Sequence, residues 1–120
     1  MKTQDLVQLY FNKVKEKSDW QTLIAPDMKF ESPAPTTFGK DAYVTAASRF
    51  FQMVETLEIK QLATEGEKAC AWVNYLLRLK NGKTFNCMVS ELLAVENDKI
   101  VSSAILFDTL ALKTFTSEAS

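Results

Sequence analysis

Few side chains in this sequence could do chemistry, and one of them stands in an unusual place. Thr84 to Glu96 reads as a long strand, and side chains alternate across a strand. Phe85, Cys87, Val89, Glu91, Leu93 and Val95 therefore share one face, on which Glu91 is the single ionisable oxygen acid among apolar neighbours. A carboxyl group there is costly unless it is paired, hydrogen-bonded or protonated. Two states stay open from sequence. Beside Arg78, or near water, Glu91 remains ionised. Buried without a cation, its pKa rises, and the neutral acid can donate a hydrogen bond to a substrate oxygen.

The 120 residues contain no histidine. That removes Ser-His-Asp and Cys-His catalysis, most zinc sites and the usual proton shuttle near pH 7. Any acid–base step falls to carboxyl groups, tyrosine, lysine or cysteine with shifted pKa values. Tyr10 lies in the apolar stripe of the first helical segment, either as a core tyrosine bonded locally or as a donor into a pocket. Asn74, in mid-strand, needs partners if buried: a ligand carbonyl, Ser32 or a water. Without a histidine, Cys87 reads as an inert core residue. Asp27 and Asp108 read as structural groups in a turn and at a strand end. No metal or cofactor is expected.

The net charge of −1, with no basic cluster, argues against a nucleic-acid partner. No apolar run approaches the roughly 20 residues that span a bilayer, and the N-terminal residues do not form a secretory apolar core. Cys70 and Cys87 fall in predicted strands and read as small core residues rather than a bridge. A cytoplasmic single domain over residues 1–112 is expected, with 113–120 as a frayed tail.

The elements that must position these groups follow from hydrophobic periodicity. Leu6, Val7, Tyr10, Phe11 and Val14 predict a helix from about Thr3 to Lys17, with Thr3 as its cap. Trp20, Leu23 and Ile24 predict a short second helix, and Met28 to Ser32 a short strand. Pro33 to Gly39 is a stiff loop. Tyr43, Ala46, Ala47, Phe50, Phe51 and Val54 predict a third helix from Lys40 to about Val54. Strands are then predicted at Leu57–Thr64, Ala69–Lys80, Thr84–Glu96 and Ile100–Asp108. Asn81-Gly82 between two alternating runs is a strong hairpin signal, so the last three strands form an antiparallel meander. The fold class is α+β: helices first, then a long curled sheet.

This order resembles the nuclear transport factor 2-like superfamily, which includes ketosteroid isomerases and SnoaL-like polyketide cyclases. The resemblance runs from about Leu6 to Asp108. It is carried by Tyr10-Phe11, Asp19-Trp20, Leu23-Ile24-Ala25-Pro26-Asp27, Phe30-Glu31-Ser32-Pro33, Gly39-Lys40, and Lys99-Ile100 leading to Phe107-Asp108. It implies N-terminal helices packed in the concave face of a strongly curved, mostly antiparallel sheet, a cone-like α+β barrel with one open apolar pocket. It also implies that Tyr10 and Glu91 occupy the positions of the two oxyanion donors of ketosteroid isomerases. The catalytic aspartate of those enzymes falls on Ser32, and a serine cannot move a proton between carbons without a base of its own.

The register taken from the Asn81-Gly82 turn points Trp72, Asn74, Leu76 and Arg78 into the pocket. Phe30, Ser32, Phe50 and Val54 join them from the first half of the chain, and Val89, Leu93 and Phe107 from the second. Val73, Tyr75, Leu77 and Leu79 then form an apolar outer face, and a homodimer through it is expected. Two functions remain open. One is a pocket protein for a small apolar carbonyl compound, acting as an isomerase, cyclase or hydratase through Tyr10 and Glu91. The other is a non-catalytic ligand carrier or dimeric interaction module.

Overall fold

The computed structural model describes residues 1–33 and 36–117. Helix α1 (Thr3–Lys15) buries Leu6, Val7, Tyr10, Phe11 and Val14, the helical stripe expected from their spacing. Asp5 in its first turn and Lys13 and Lys15 in its last complement the helix dipole. Lys2, not Thr3, occupies the cap position. Thr3 is already helical, and its hydroxyl donates to the Gly66 carbonyl at 2.7 Å, tying the helix to a distant turn.

A single 3-10 turn (Trp20–Leu23) leads into strand β1 (Ile24–Glu31), which starts four residues before the expected strand. Its parallel pairing with β6 is interrupted between Ile24 and Lys29. Pro26 lies inside that interruption, where its missing N–H leaves no ladder bond unmade. Strand β2 (Thr37–Phe38) and helix α2 (Lys40–Phe51) follow, then β3 (Val54–Glu65), β4 (Lys68–Arg78), β5 (Thr84–Glu96) and β6 (Lys99–Leu106). The C-terminal residues from 113 onward, expected to fray, begin otherwise: Thr109–Ser117 forms helix α3. Asp108 caps it by accepting the Ala111 N–H at 2.9 Å, the structural role expected of that residue. Phe115 is buried and stacks on Phe85 with ring centroids 5.2 Å apart. The periodicity of this helix rests on Leu112 and Phe115 alone, too short a stripe to stand out in a Thr- and Ser-rich stretch.

The six strands form one sheet in the order β2-β1-β6-β5-β4-β3. Every neighbouring pair is antiparallel except β1 with β6. Strands β2 and β3 are its two edges, so the sheet is curved but not closed. Register shifts at Val54/Thr56 and Ile59/Gln61 in β3, and opposite Ala94/Val95 at Val101 in β6, supply bulges that bend the strands around the helices. The fold class is α+β as expected, with α1 and α2 against the concave face.

One expectation is reversed. In the β4–β5 pair Tyr75 lies opposite Cys87, Val73 opposite Val89 and Ala71 opposite Glu91. Residues directly opposite share a face. Val73, Tyr75 and Leu77 therefore point inward beside Glu91 and are at most 2% exposed, and Leu79 is buried with them. They cannot form a dimer surface. Trp72, Asn74, Leu76 and Arg78 lie on the convex face instead, with Trp72 49% exposed.

The cause is the turn. A two-residue Asn81-Gly82 loop would set Lys80 opposite Lys83 and so Trp72 opposite Glu91. The actual loop has three residues, Lys80-Asn81-Gly82, closed by the Leu79 N–H donating to the Lys83 carbonyl at 2.9 Å. Gly82 takes φ of 90°, a left-handed value that suits the glycine of such a loop. A shift of one residue turns every side chain of a strand to the other face.

Candidate functional site

A cavity of about 170 Å³ opens between the helices and the concave sheet face. Helix α1 contributes Tyr10, and α2 contributes Tyr43, Ala46, Ala47, Phe50 and Phe51. The two alanines keep the helix surface low between the rings, which leaves room for the cavity. The sheet contributes Tyr75 from β4, Val89 and Glu91 from β5 and Ile105 from β6. Phe30 and Ser32 stand at the end of β1, and Phe107 just beyond β6.

Glu91 is 5% exposed, the one buried carboxyl group among the described residues. Tyr75 donates its O–H to Glu91 Oε2 at 2.5 Å. Among the described residues no cation reaches the carboxyl group. Arg78, one of the partners open from sequence, forks onto Glu55 instead, with Nε to Oε1 at 2.9 Å and Nη2 to Oε2 at 3.0 Å. Burial pushes the Glu91 pKa up to about 7, and the hydrogen bond from Tyr75 opposes that rise. Near neutral pH both the acid and the carboxylate are populated.

Three tyrosines surround this group. The hydroxyls of Tyr10 and Tyr43 share a hydrogen bond of 2.5 Å. One proton is used between them, and the other remains to donate elsewhere. Burial, above all, holds the hydroxyls of Tyr10, Tyr43 and Tyr75 in the neutral form by raising their pKa values, and the charge of Glu91 adds to the effect at each. The rings brace one another: Phe30 packs edge-on against Tyr43 at 5.1 Å and Phe50 against Tyr75 at 5.2 Å. Trp20 meets Tyr10, Tyr43 and Phe51 in the same way from behind. The arrangement is an apolar chamber with hydroxyl donors and one proton-exchanging carboxyl group.

Of the residues expected around a pocket, Tyr10, Glu91, Phe30, Ser32, Phe50, Val89 and Phe107 all line the cavity. Val54 and Leu93 are buried core residues beyond its wall, while Trp72, Asn74 and Leu76 belong to the convex face. Asn74 Nδ2 donates to Asn86 Oδ1 at 3.0 Å there, so it meets neither Ser32 nor a cavity ligand. Cys87 is buried, and burial followed by the charge of Asp108 pushes its thiol up to about 11, which leaves it unreactive. Sequence reasoning missed Tyr43, Ala46, Ala47, Tyr75 and Ile105 as cavity residues. Tyr43 could have been found from its place four residues before Ala47 and seven before Phe50, one face of α2. Tyr75 was hidden by the turn.

Comparison with known proteins agrees with the fold. The family model for the SnoaL-like domain matches residues 10–103. The chain belongs to the SnoaL-like family. No curated protein matches it. Among solved structures, the SnoaL-like chain is similar to a protein from Jannaschia sp. CCS1 assigned as a SnoaL-like polyketide cyclase. The TM-score is 0.81 at 12% identity, over 93% of this chain and 89% of that one. It is also similar to a nuclear transport factor 2-like protein of unknown function from Cytophaga hutchinsonii, with TM-score 0.76, 20% identity and 94% and 96% coverage. A third similar structure, from Kribbella flavida and assigned as a ketosteroid isomerase, gives TM-score 0.72, 20% identity and 88% and 77% coverage. At these identities the likeness is one of fold.

Proposed function

We propose that this SnoaL-like protein binds a small, mostly apolar carbonyl compound and moves a proton at the carbon beside the carbonyl. The observation that carries the reading is Glu91, poised near neutrality inside an aromatic chamber that also holds the Tyr10–Tyr43 hydroxyl pair. The carboxylate takes the α-proton, and the electron pair moves onto the carbonyl oxygen. The free hydroxyl proton of the tyrosine pair stabilises that oxyanion by a hydrogen bond. The protonated acid then returns its proton to the same or a conjugated carbon, which gives enolisation or isomerisation. If the enolate carbon instead attacks a second carbonyl of the same molecule, a C–C bond forms as that C=O π bond breaks, the alkoxide takes the proton back from Glu91, and the result is cyclisation. Glu91 replaces the base that Ser32 cannot supply. A pKa near the working pH suits a group that must both accept and give.

Size narrows the substrate. An apolar cavity of about 150 Å³ holds benzene, so about 170 Å³ accepts a single substituted ring. A fused four-ring steroid is too large unless the walls move. The test is deuterium exchange at the α-carbon of a monocyclic ketone, such as cyclohexenone, followed by NMR in D2O. Exchange above the buffer rate, lost in both Glu91→Gln and Tyr10→Phe, supports the reading. Exchange equal to buffer, with phenol still bound, leaves the second reading: a ligand carrier, favoured by serine at position 32. Binding is read best from Trp20, which contacts the cavity tyrosines; Trp72, expected in the pocket, is on the outside.

For a homodimer, the surface we propose is the other side of β4. Trp72 lies opposite Ser90, Ser90 opposite Leu106, and Leu92 opposite Ala104, so three large exposed apolar side chains cluster on the convex face. An exposed cluster of this kind marks an interface, and a second copy is the proposed occupant. Two free cysteines suit a reducing, cytoplasmic setting.

A further inference from the structure

The carboxyl group in the cavity lacks the partner that a buried charge normally has. Ions inside proteins are paired, or they neutralise. Among the described residues that line the cavity, Glu91 is the one charged group, and no Lys or Arg accompanies it. Tyr75 satisfies one oxygen with a neutral donor, and Arg78 is engaged by Glu55. Among the described residues the negative form of Glu91 has no counter-ion.

The walls supply what a cationic ligand needs. Tyr10, Phe30, Tyr43, Phe50, Phe51 and Phe107 surround the space with aromatic rings. Aromatic faces attract an ammonium group within about 6 Å of the ring centre, and desolvation strengthens the attraction. With methyl groups on nitrogen, a cation is less tightly hydrated than a primary amine and gives up less on entering an apolar chamber. The volume of about 170 Å³ admits such a compact group and excludes bulky ones.

We propose that the cavity is also a receptor for compact organic cations of the methylated ammonium class, with Glu91 as their counter-ion and the surrounding rings as cation–π partners. This rests on the reading of the cavity as a ligand site, and goes beyond it in naming a second ligand class. The protonation of one residue then governs the cation alone: the carboxylate attracts it, whereas a neutral ligand is held by the rings and the tyrosine hydroxyls in either state. The other titratable groups facing Glu91 are Tyr10 from α1, Tyr43 from α2 and Tyr75 from β4, with Cys87 two turns of the pleat away on β5 and Asp108 acting on that thiol. Burial keeps the tyrosines and the thiol neutral from pH 5 to pH 9, so within the cavity Glu91 alone changes charge over that range.

The experiment is calorimetric titration with tetramethylammonium chloride at pH 5, 7 and 9, against matched sodium chloride, with phenol titrated in parallel. Affinity for tetramethylammonium should rise about 100-fold from pH 5 to pH 9 as Glu91 ionises, while phenol shows no such rise. Glu91→Gln should abolish cation binding at pH 9 and retain phenol. The pH series on the unaltered protein decides the matter even if that variant folds poorly. Cation binding that is flat with pH, or that survives Glu91→Gln, overturns the proposal. So does phenol binding with no cation binding at pH 9, although the ligand site itself then stands. If neither probe binds, the ligand site fails and the cation receptor with it.

Discussion

Replacing Glu91 by Gln should make the protein more stable at alkaline pH than at acid pH, relative to the unaltered chain. The reasoning is linkage. Glu91 titrates at about 7 when folded and near the ordinary value of 4.5 when unfolded. A carboxyl group whose folded pKa is raised binds more protons folded than unfolded between those values. Its stability contribution is fully present below the unfolded pKa and is lost as pH rises through the folded one. A separation of 2.5 units, from 4.5 to 7, corresponds to about 3 kcal/mol, most of it lost between pH 5 and pH 8. Gln has nearly the same shape, and its carbonyl oxygen can still accept the Tyr75 O–H. Its extra N–H donors add a cost that does not vary with pH. Urea unfolding of both proteins at pH 5, 6, 7 and 8 gives the stability difference directly, and all other titrating groups cancel. The difference should swing by about 2 to 3 kcal/mol in favour of Gln as pH rises. Parallel curves for the two proteins would refute a raised Glu91 pKa, whatever the absolute stabilities.

Two other outcomes follow from the same structure. Tyr75→Phe removes the hydrogen bond that favours the carboxylate, so the midpoint of any Glu91-dependent exchange or binding should move above pH 7. An unmoved midpoint in a pH–rate profile would mean that Tyr75 does not hold Glu91. On the convex face, Trp72→Arg combined with Leu106→Glu should convert a dimer to a monomer in sedimentation at micromolar concentration without altering phenol binding. A monomer in the unaltered protein would remove the interface.

Much of the fold was legible because its signals are local. The stripe Leu6, Val7, Tyr10, Phe11 and Val14, and the alternation from Phe85 to Val95, each say which face is buried without reference to the rest of the chain. The isolated carboxyl group at 91 is visible for the same reason: alternation places it inside before any partner is known. The orientation of β4 is a different kind of fact. Its residues alternate Trp72, Val73, Asn74, Tyr75, Leu76, Leu77, with apolar groups on both faces, so pattern alone cannot choose between them. The choice fell to the loop, where two or three residues at Asn81-Gly82 decide whether Trp72 or Tyr75 looks inward. That single ambiguity concealed the donor to Glu91 and put the expected dimer surface on residues that are buried. The Arg78–Glu55 pair was equally out of reach, since it depends on the pairing of β4 with β3. The wall residue Tyr43 was visible as core and not as site, because a ring that fills space and a ring that bounds a cavity have the same periodicity.

The most direct test of the central claim is an NMR titration of the protein with carbon-13 at the glutamate carboxyl positions. One carboxyl resonance should titrate with a midpoint near pH 7 and be missing from the spectrum of Glu91→Gln. If every glutamate titrates below about pH 5, as unperturbed carboxyl groups do, then Glu91 is an ordinary solvated carboxylate and the proton-exchanging role assigned to it is wrong.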